Sequence, residues 1–256
     1  MNSLSVVVIT YNEERNIGRC LDSVKGIADE IVVIDSFSTD RTREVCAGFG
    51  ARCIEHQFAG HIEQKNFAVG QAAFHHILSL DADEALSERL RDSILRTKEE
   101  WTFSAYRMNR MTSYCGTWIR HGAWYPDRKI RLFDSRAGAW SGRNPHDRFQ
   151  LTDAGARIGN LAGDILHYSY ASISDHVRQV DYFTGISANE LFTRGKSAGL
   201  AHLLFAPPIR FLRDYFYKRG FLDGFYGFVI AMISAHSVFI KYVKLHELRK
   251  TKGIPE

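Results

Sequence analysis

A chain of 256 residues holds one large core or two smaller ones, and 45% hydrophobic with 24% charged residues is the make-up of a folded globular protein. The lack of repeats and low-complexity tracts excludes a fibrous or disordered chain. The formal charge of +4 is uneven, because residues 194–252 carry eleven Lys or Arg against three acids. A basic, aromatic tail therefore follows an acidic body, which predicts a tail that meets an anionic surface. No nucleic-acid partner is expected.

The opening "MNSLSVVVITYNEE" has no basic segment and too short an apolar run for a signal peptide, so a strand is predicted almost at once. The four cysteines, Cys20, Cys46, Cys53 and Cys115, show no CxxC spacing. Neither a disulfide framework nor a zinc site is suggested, and a reducing, cytoplasmic compartment fits best.

Four apolar runs read as strands: residues 4–10, 30–36, 51–56 and 76–83. Continuous β-branched runs indicate strands covered on both faces, as in a parallel sheet with crossover helices. Asn12 is placed to cap a helix from Glu13 to about Val24, Thr39 one that ends near Gly48, and Ser87 a third. Ligands bind at the carboxyl ends of such strands, which singles out residues 10–13, 35–40 and 81–84.

Beyond about Ala105, "AYRMNRMTSY", "KIRLFD" and "DILHYSY" predict a mixed or antiparallel extension. Ser172 and Asp175 have capping-box spacing for a helix to about Arg194, and two further helices follow. The segments expected are 1–104, an α/β half with ligand-binding strand ends; 105–195, a second half of the same domain that could carry an acceptor site; and 196–256, a basic aromatic helical extension. The uncharged stretch 224–240 is 17 residues long, short of the roughly 20 a spanning helix needs. Its Lys flanks and many aromatics fit a helix lying on an anionic leaflet, or one packed on a partner chain; the plainer reading is a core helix of the main domain.

An α/β start with strand-end acids points to a nucleotide. No GxxxxGK[ST] loop is present, and "GFGARC" at Gly48 lacks the third glycine of a dinucleotide fingerprint. A diphosphate then needs another counter-charge, and carboxylate-held Mg²⁺ or Mn²⁺ is the common solution. Asp81 and Asp83 of "ILSLDADE" fit that requirement. In an extended segment the two point to one side, whereas in the plainer reading Asp83 caps the next helix.

"SVVVITYNEERNIGRCLDSV", "EIVVIDSFSTDRT", "EQKNFA" and "ILSLDADE", in this order and spacing, resemble the inverting family 2 glycosyltransferases. The later pieces "WYPDRKIRLF", "RNPHDRF", "LHYSY" and "FLRDYFYKRGFLDG" resemble the branch that builds lipopolysaccharide inner core, often β-glucosyltransferases. The resemblance implies a GT-A fold, a Rossmann-like mixed α/β sheet with a C-terminal helical extension. It also implies a UDP-sugar donor, a lipopolysaccharide-core or related glycolipid acceptor, and peripheral contact with the inner face of the cytoplasmic membrane.

Carried over by position, Thr10, Tyr11, Asn12 and Glu13 line the nucleotide, Asp35 reads the uracil or ribose, and Ser36, Ser38 and Asp40 continue that loop. Gln64, Lys65 and Asn66 face the nucleotide sugar. Asp81, Ala82 and Asp83 form the metal motif, with Asp81 also substrate-facing and His167 a further ligand or a core strand histidine. Asp147 matches the general base, where the branch more often has Glu, or it is simply salt-bridged to Arg143 or Arg148. His146 orients acceptor or base, and Arg131, with Arg128, Lys129, Arg143 and Arg148, suits an anionic acceptor or a diphosphate. A nucleotidyltransferase is the competing enzyme class, although its glycine- and Arg-rich first loop is missing; a non-catalytic nucleotide-sugar or glycan-binding module is the other alternative.

Overall fold

The computed structural model describes residues 1–143 and 146–252, with only the backbone of His146. In chain order the elements are β1 (Leu4–Thr10), α1 (Ile17–Val24), β2 (Glu30–Asp35), α2 (Thr42–Gly48), β3 (Arg52–Glu55), α3 (His61–Gly70), β4 (His76–Asp81), β5 (Glu84–Leu86) and α4 (Glu88–Glu99). Then come β6 (Ala105–Tyr114), β7 (Thr117–Trp118), β8 (Asp127–Asp134), β9 (Gly138–Arg143), β10 (His146–Leu151) and β11 (Ile158–Tyr170). The chain ends in α5 (Ile173–Thr193), α6 (Leu200–Leu212) and α7 (Gly224–Thr251).

The chain divides into two compact units, one of residues 1–111 and 127–168, the other of 112–126 and 169–256. This cut differs from the division after residues 104 and 195 read from the sequence, because the chain passes from one unit to the other within β6 and β11.

In the first unit the strands run β3-β2-β1-β4-β8-β6-β11-β5. The first four are parallel, and β8 joins β4 antiparallel. Every residue of β1 is buried. Its alternation splits the core in two: Leu4, Val6 and Val8 pack with Ile17, Leu21 and Val24 of α1 and Leu90 and Ile94 of α4. Val7 and Ile9 face the other way, with Ala68 of α3, Phe133, Trp140 and Phe149. A strand covered on both faces can be a β-branched run without alternation, which is what "LSVVVIT" is. The mixed sheet and the C-terminal helices are those of the GT-A class that the resemblance implies.

Three local expectations change. α1 begins at Ile17, not Glu13: Asn12 has φ 52°, and its side-chain oxygen accepts from Thr39 N at 2.8 Å instead of capping. Asp40 takes the role expected of Thr39, its carboxylate accepting from Thr42 N at the head of α2. The predicted fourth strand stops at Asp81, and Ala82–Asp83 is a turn. That turn is fixed because Ala82 N donates to Ile9 O, Asp81 N to the Glu84 carboxylate, and Tyr168 N to Asp83 O. Ser87 does cap α4, accepting from Leu90 N.

β11 pairs with β5 so that His167 stands opposite Glu84. The close approach upstream requires Gly163, with φ +100°, where a Cβ would stand 2.3 Å from Leu90 N.

In the second unit, Tyr114, Ile119 and Ile230 form one cluster and Ala188, Ala198 and Leu245 another. The Ser172–Asp175 capping box heads α5 as expected. α6 holds Pro207 and Pro208 and gives way to a π-helical turn over Arg213–Tyr217, after which a 3-10 turn leads into α7. Among the described residues, Gly220–Thr251 is the one helical stretch long and apolar enough to cross a membrane by length and composition. Of its apolar window, 28% is buried.

Candidate active site

The carboxyl ends of β1, β2 and β4 open on a pocket of about 290 Å³. Thr10, Tyr11, Glu13, Ser36, Gln64, Asp81, Ala82, Asp83 and His167 line it, joined by Phe58 and His61. The Thr10 hydroxyl is buried without a hydrogen-bond partner, and Tyr11 is 59% exposed, a free polar atom beside a free aromatic face. Gln64 is held by Ser36 Oγ (3.1 Å) and by His56 Nδ1 (2.8 Å). Burial pushes the Glu13 carboxyl up; a hydrogen bond from Asn16 opposes this, while Asp83 and Asp40 add to it.

The two aspartates of the DAD turn part company. Asp83 Oδ2 lies 3.1 Å from His167 Nε2. Asp81 instead sits between Lys65 Nζ (3.1 Å) and Arg131 Nη2 (2.8 Å), with Lys65 also 2.7 Å from Asp147. Lys65 and Arg131 are almost fully buried, and Arg131 is also paired with the buried Glu84 at 2.8 Å. Burial alone would raise the pKa of Asp81, but Arg131 and Lys65 hold its carboxyl well below the usual range. Burial likewise works against the Arg131 cation, yet Asp81 and Glu84 raise its pKa above the ordinary value.

This geometry revises several expectations. Asp81 and Asp83 do not point to one side, because the turn sends one carboxylate to the buried cations and the other to His167. The Asp81 carboxylate, which also lines the pocket, is engaged by two cations. No group of three or more His, Cys, Asp or Glu poised for a metal occurs among the described residues. The Asp83–His167 pair faces the pocket, a carboxylate and an imidazole suited to a divalent cation that takes its other ligands from phosphate and water.

Asp147 is ion-paired, but to Lys65 rather than to Arg143 or Arg148. Asp35 is fully buried, its carboxylate accepting from Ser38 N at 2.9 Å and from Ser38 Oγ. Ser38 Oγ in turn accepts from Asn12 N at 2.8 Å, so Asp35, Ser38 and Asn12 brace the two loops without lining the pocket. Asn66 faces away from the pocket residues: its amide bonds both N and O of Trp140, stapling α3 to β9. The side chain of His146 lies outside the described residues.

A second cavity, of about 640 Å³, adjoins the first at Asp81. Asp147, Lys65, Arg131 and Trp140 line it, with Arg107, Arg110, Arg128, Lys129 and Arg148. The ends of a parallel sheet thus hold a small pocket floored by a carboxylate–imidazole pair, separated from a basic cavity by one Asp–Lys–Asp bridge.

The model of the family described as "Glycosyl transferase family 2" matches residues 5–151, more than half the chain. The chain is a family 2 glycosyltransferase. It is 31% identical to an uncharacterized glycosyltransferase of Rickettsia typhi, over 97% of this chain and 88% of that one. It is 28% identical to LpsC of Rhizobium meliloti, a lipopolysaccharide core biosynthesis glycosyltransferase, over 98% and 95% of the two chains. The structure of S. aureus TarS residues 1–349 in complex with UDP-GlcNAc matches with a TM-score of 0.48 and 15% identity, over 98% of this chain and 92% of that one.

In this glycosyltransferase, sequence reasoning passed over Phe58 and His61, which line the pocket beyond the end of β3. The strand-end rule applied to residues 51–56 would have reached them. It also left Glu84 without a role, although a carboxylate that is fully buried and paired to Arg131 anchors the centre. Nothing local signalled that pairing, since Arg131 lies 47 residues away.

Proposed function

We propose that the chain transfers a hexose, glucose in the first instance, from a UDP-sugar to a hydroxyl of a lipopolysaccharide-core or related glycolipid acceptor, with inversion at the sugar carbon. The observation that carries this reading is the bridge Asp81–Lys65–Asp147 at the junction of a nucleotide-sized pocket and an open basic cavity. An inverting transfer is one in-line displacement: donor and acceptor must approach from opposite sides, with a base on the acceptor side. Asp147 lines only the second of the two cavities, which suits the carboxylate that takes the acceptor proton.

Thr10, Tyr11, Ser36 and Gln64 supply polar and aromatic contacts for the uridine. Asp83 and His167 would hold Mg²⁺ or Mn²⁺, with Asp81 turned to the neighbouring cations. When bound, the metal neutralises charge on the departing diphosphate. Lys65 and Arg131, themselves almost fully buried, fix the carboxylates of Asp81 and Asp147 where the two cavities meet.

The second unit supports work at the inner face of the cytoplasmic membrane. Leu204, Phe205 and Ile209 of α6 and Phe225 of α7 are each exposed by more than half, and the exposed cations Arg213, Lys218 and Arg219 stand in the connection between the helices. Apolar side chains with a basic rim suit an anionic leaflet.

The test is calorimetric titration with UDP, GDP and ADP, with and without Mn²⁺, followed by turnover of a UDP-sugar panel. Selective, metal-tightened UDP binding is expected, with Asp147→Asn retaining it and losing transfer. Equal binding of the three nucleotides would refute the donor assignment, and transfer preserved in Asp147→Asn would remove Asp147 as the base.

A further inference from the structure

The 640 Å³ cavity holds more positive charge than its walls answer. Lys65 is matched by Asp81 and Asp147, Arg131 by Asp81 and Glu84, Arg110 by Glu84 and Asp127, and Lys129 by Asp127. Three further lining residues, Arg107, Arg128 and Arg148, have no carboxylate within ion-pair distance among the described residues. Three uncompensated guanidiniums round one concavity repel each other and attract an anion.

A second observation points the same way. Arg131 is 3% exposed, yet its Nε and Nη1 are buried and donate to no partner; only Nη2 is used, donating to Asp81 and Glu84. The indole N–H of Trp140, 4% exposed and lining the same cavity, is also unpartnered. A buried donor left without an acceptor is costly, and an arriving acceptor relieves that cost. An oxyanion is the ligand whose chemistry matches this donor set, because the planar Arg fork fits carboxylate and phosphate oxygens.

We propose that this cavity is an acceptor subsite for an oxyanion, a phosphate or carboxylate that the acceptor sugar carries near its reacting hydroxyl. The proposal rests on the glycosyl-transfer reading above and narrows its acceptor. Asp147 stands in the cavity wall, so a sugar anchored through its anionic group at Arg107, Arg128 and Arg131 presents a neighbouring hydroxyl to that carboxylate. A neutral sugar would leave the arginine charge unanswered, and the subsite therefore discriminates by charge as well as shape.

The full-length protein, saturated with UDP and Mn²⁺, is titrated with a hexose 6-phosphate, a hexuronate and a neutral methyl hexoside. At least one anionic probe should bind tenfold or more tighter than the neutral one without displacing UDP; which of the two binds identifies phosphate or carboxylate. The double variant Arg107→Gln/Arg128→Gln, altered only at side chains outside the buried centre, should weaken that probe at least tenfold while UDP affinity changes less than twofold. Equal binding of the neutral hexoside, binding that the double variant leaves unchanged, or displacement of UDP by the anionic probe would each overturn the proposal, the last by assigning the cavity to the donor diphosphate. If UDP binds and no anionic sugar does, the subsite falls and the functional reading stands. If UDP does not bind, both fall.

Discussion

Lys65 gives the most demanding test of the charged centre, because its removal can be priced without reference to catalysis. Its ammonium is almost fully buried and lies 2.7 Å from Asp147 and 3.1 Å from Asp81. In Lys65→Met the aliphatic stem is kept and the charge is lost. Asp81 still has Arg131 at 2.8 Å, but Asp147, whose side chain is 13% exposed, loses its ion-pair partner. Removing one member of a buried pair costs about 3–5 kcal/mol because the other charge is stranded. With the Asp147 edge partly open to water, the low end, about 3 kcal/mol, is expected. That is a large share of the roughly 5–15 kcal/mol that stabilises a domain. Urea denaturation followed by circular dichroism at neutral pH measures it. The companion variant Lys65→Met/Asp147→Asn removes the stranded charge and should recover at least half of the loss. A single variant within about 1 kcal/mol of the parent, or a double variant whose losses simply add, would refute the argument that Lys65 holds two acids together.

Four further outcomes follow from other parts of the molecule. Burial lowers the pKa of His176 from 6.5 to about 4, in an aromatic nest where its Nδ1 lies 3.0 Å from the Tyr114 hydroxyl. The unfolded chain therefore takes the proton first as pH falls. The His176 contribution is complete above about pH 6.5 and is lost on the way down to about pH 4, in total about 3 kcal/mol. His176→Gln should flatten that part of the urea-midpoint-versus-pH curve, and an unchanged slope would count against it. Ser38→Ala removes one donor to the buried Asp35 and the acceptor of Asn12 N, for a cost of roughly 1–3 kcal/mol; the melting temperature should drop, and UDP binding should weaken as the first loop loosens. Asp83→Asn should abolish the Mn²⁺ enhancement of UDP binding, and a persistent enhancement would move the metal elsewhere. Leu204→Glu/Phe205→Glu should release the protein from phosphatidylglycerol-containing vesicles in a sedimentation assay without changing UDP affinity; sedimentation that persists would mean this face does not meet lipid.

The central strands were legible because burial on both faces leaves an unambiguous trace. "LSVVVIT" matches β1 residue for residue, and "AYRMNRMTSY" matches β6. Local polar chemistry was read less well, since one residue type serves several local structures. Asn12 has the composition of a helix cap, but asparagine also tolerates the left-handed region, and there its side chain ties two loops together. The DAD stretch was taken as extended because an apolar run precedes it. Its turn depends on Ile9, Glu84 and Tyr168, two of which lie far off in sequence.

Charge partners were the least legible feature, and the run Gln64–Lys65–Asn66 shows why. Successive helical residues are rotated by about 100°, so three neighbours on α3 must address three different surroundings. Gln64 turns to the nucleotide-sized pocket, Lys65 to Asp81 and Asp147, and Asn66 to the backbone of Trp140. Read along the chain, all three look like a single polar patch aimed at one ligand. In space the middle one joins acids 16 and 82 residues away, while the third fixes β9, whose register with β10 sets Asp147 opposite Gly142. The nearby Arg143 and Arg148 were the partners that sequence proximity offered to Asp147, but α3 packs against β9 and β10 and delivers Lys65 instead. One helical turn therefore sets the donor-side pocket, the ionic bridge and the strand that carries the candidate base. A helix-breaking change at Gln64 or Asn66 should disturb all three together, whereas Lys65→Met should leave the Asn66–Trp140 staple intact.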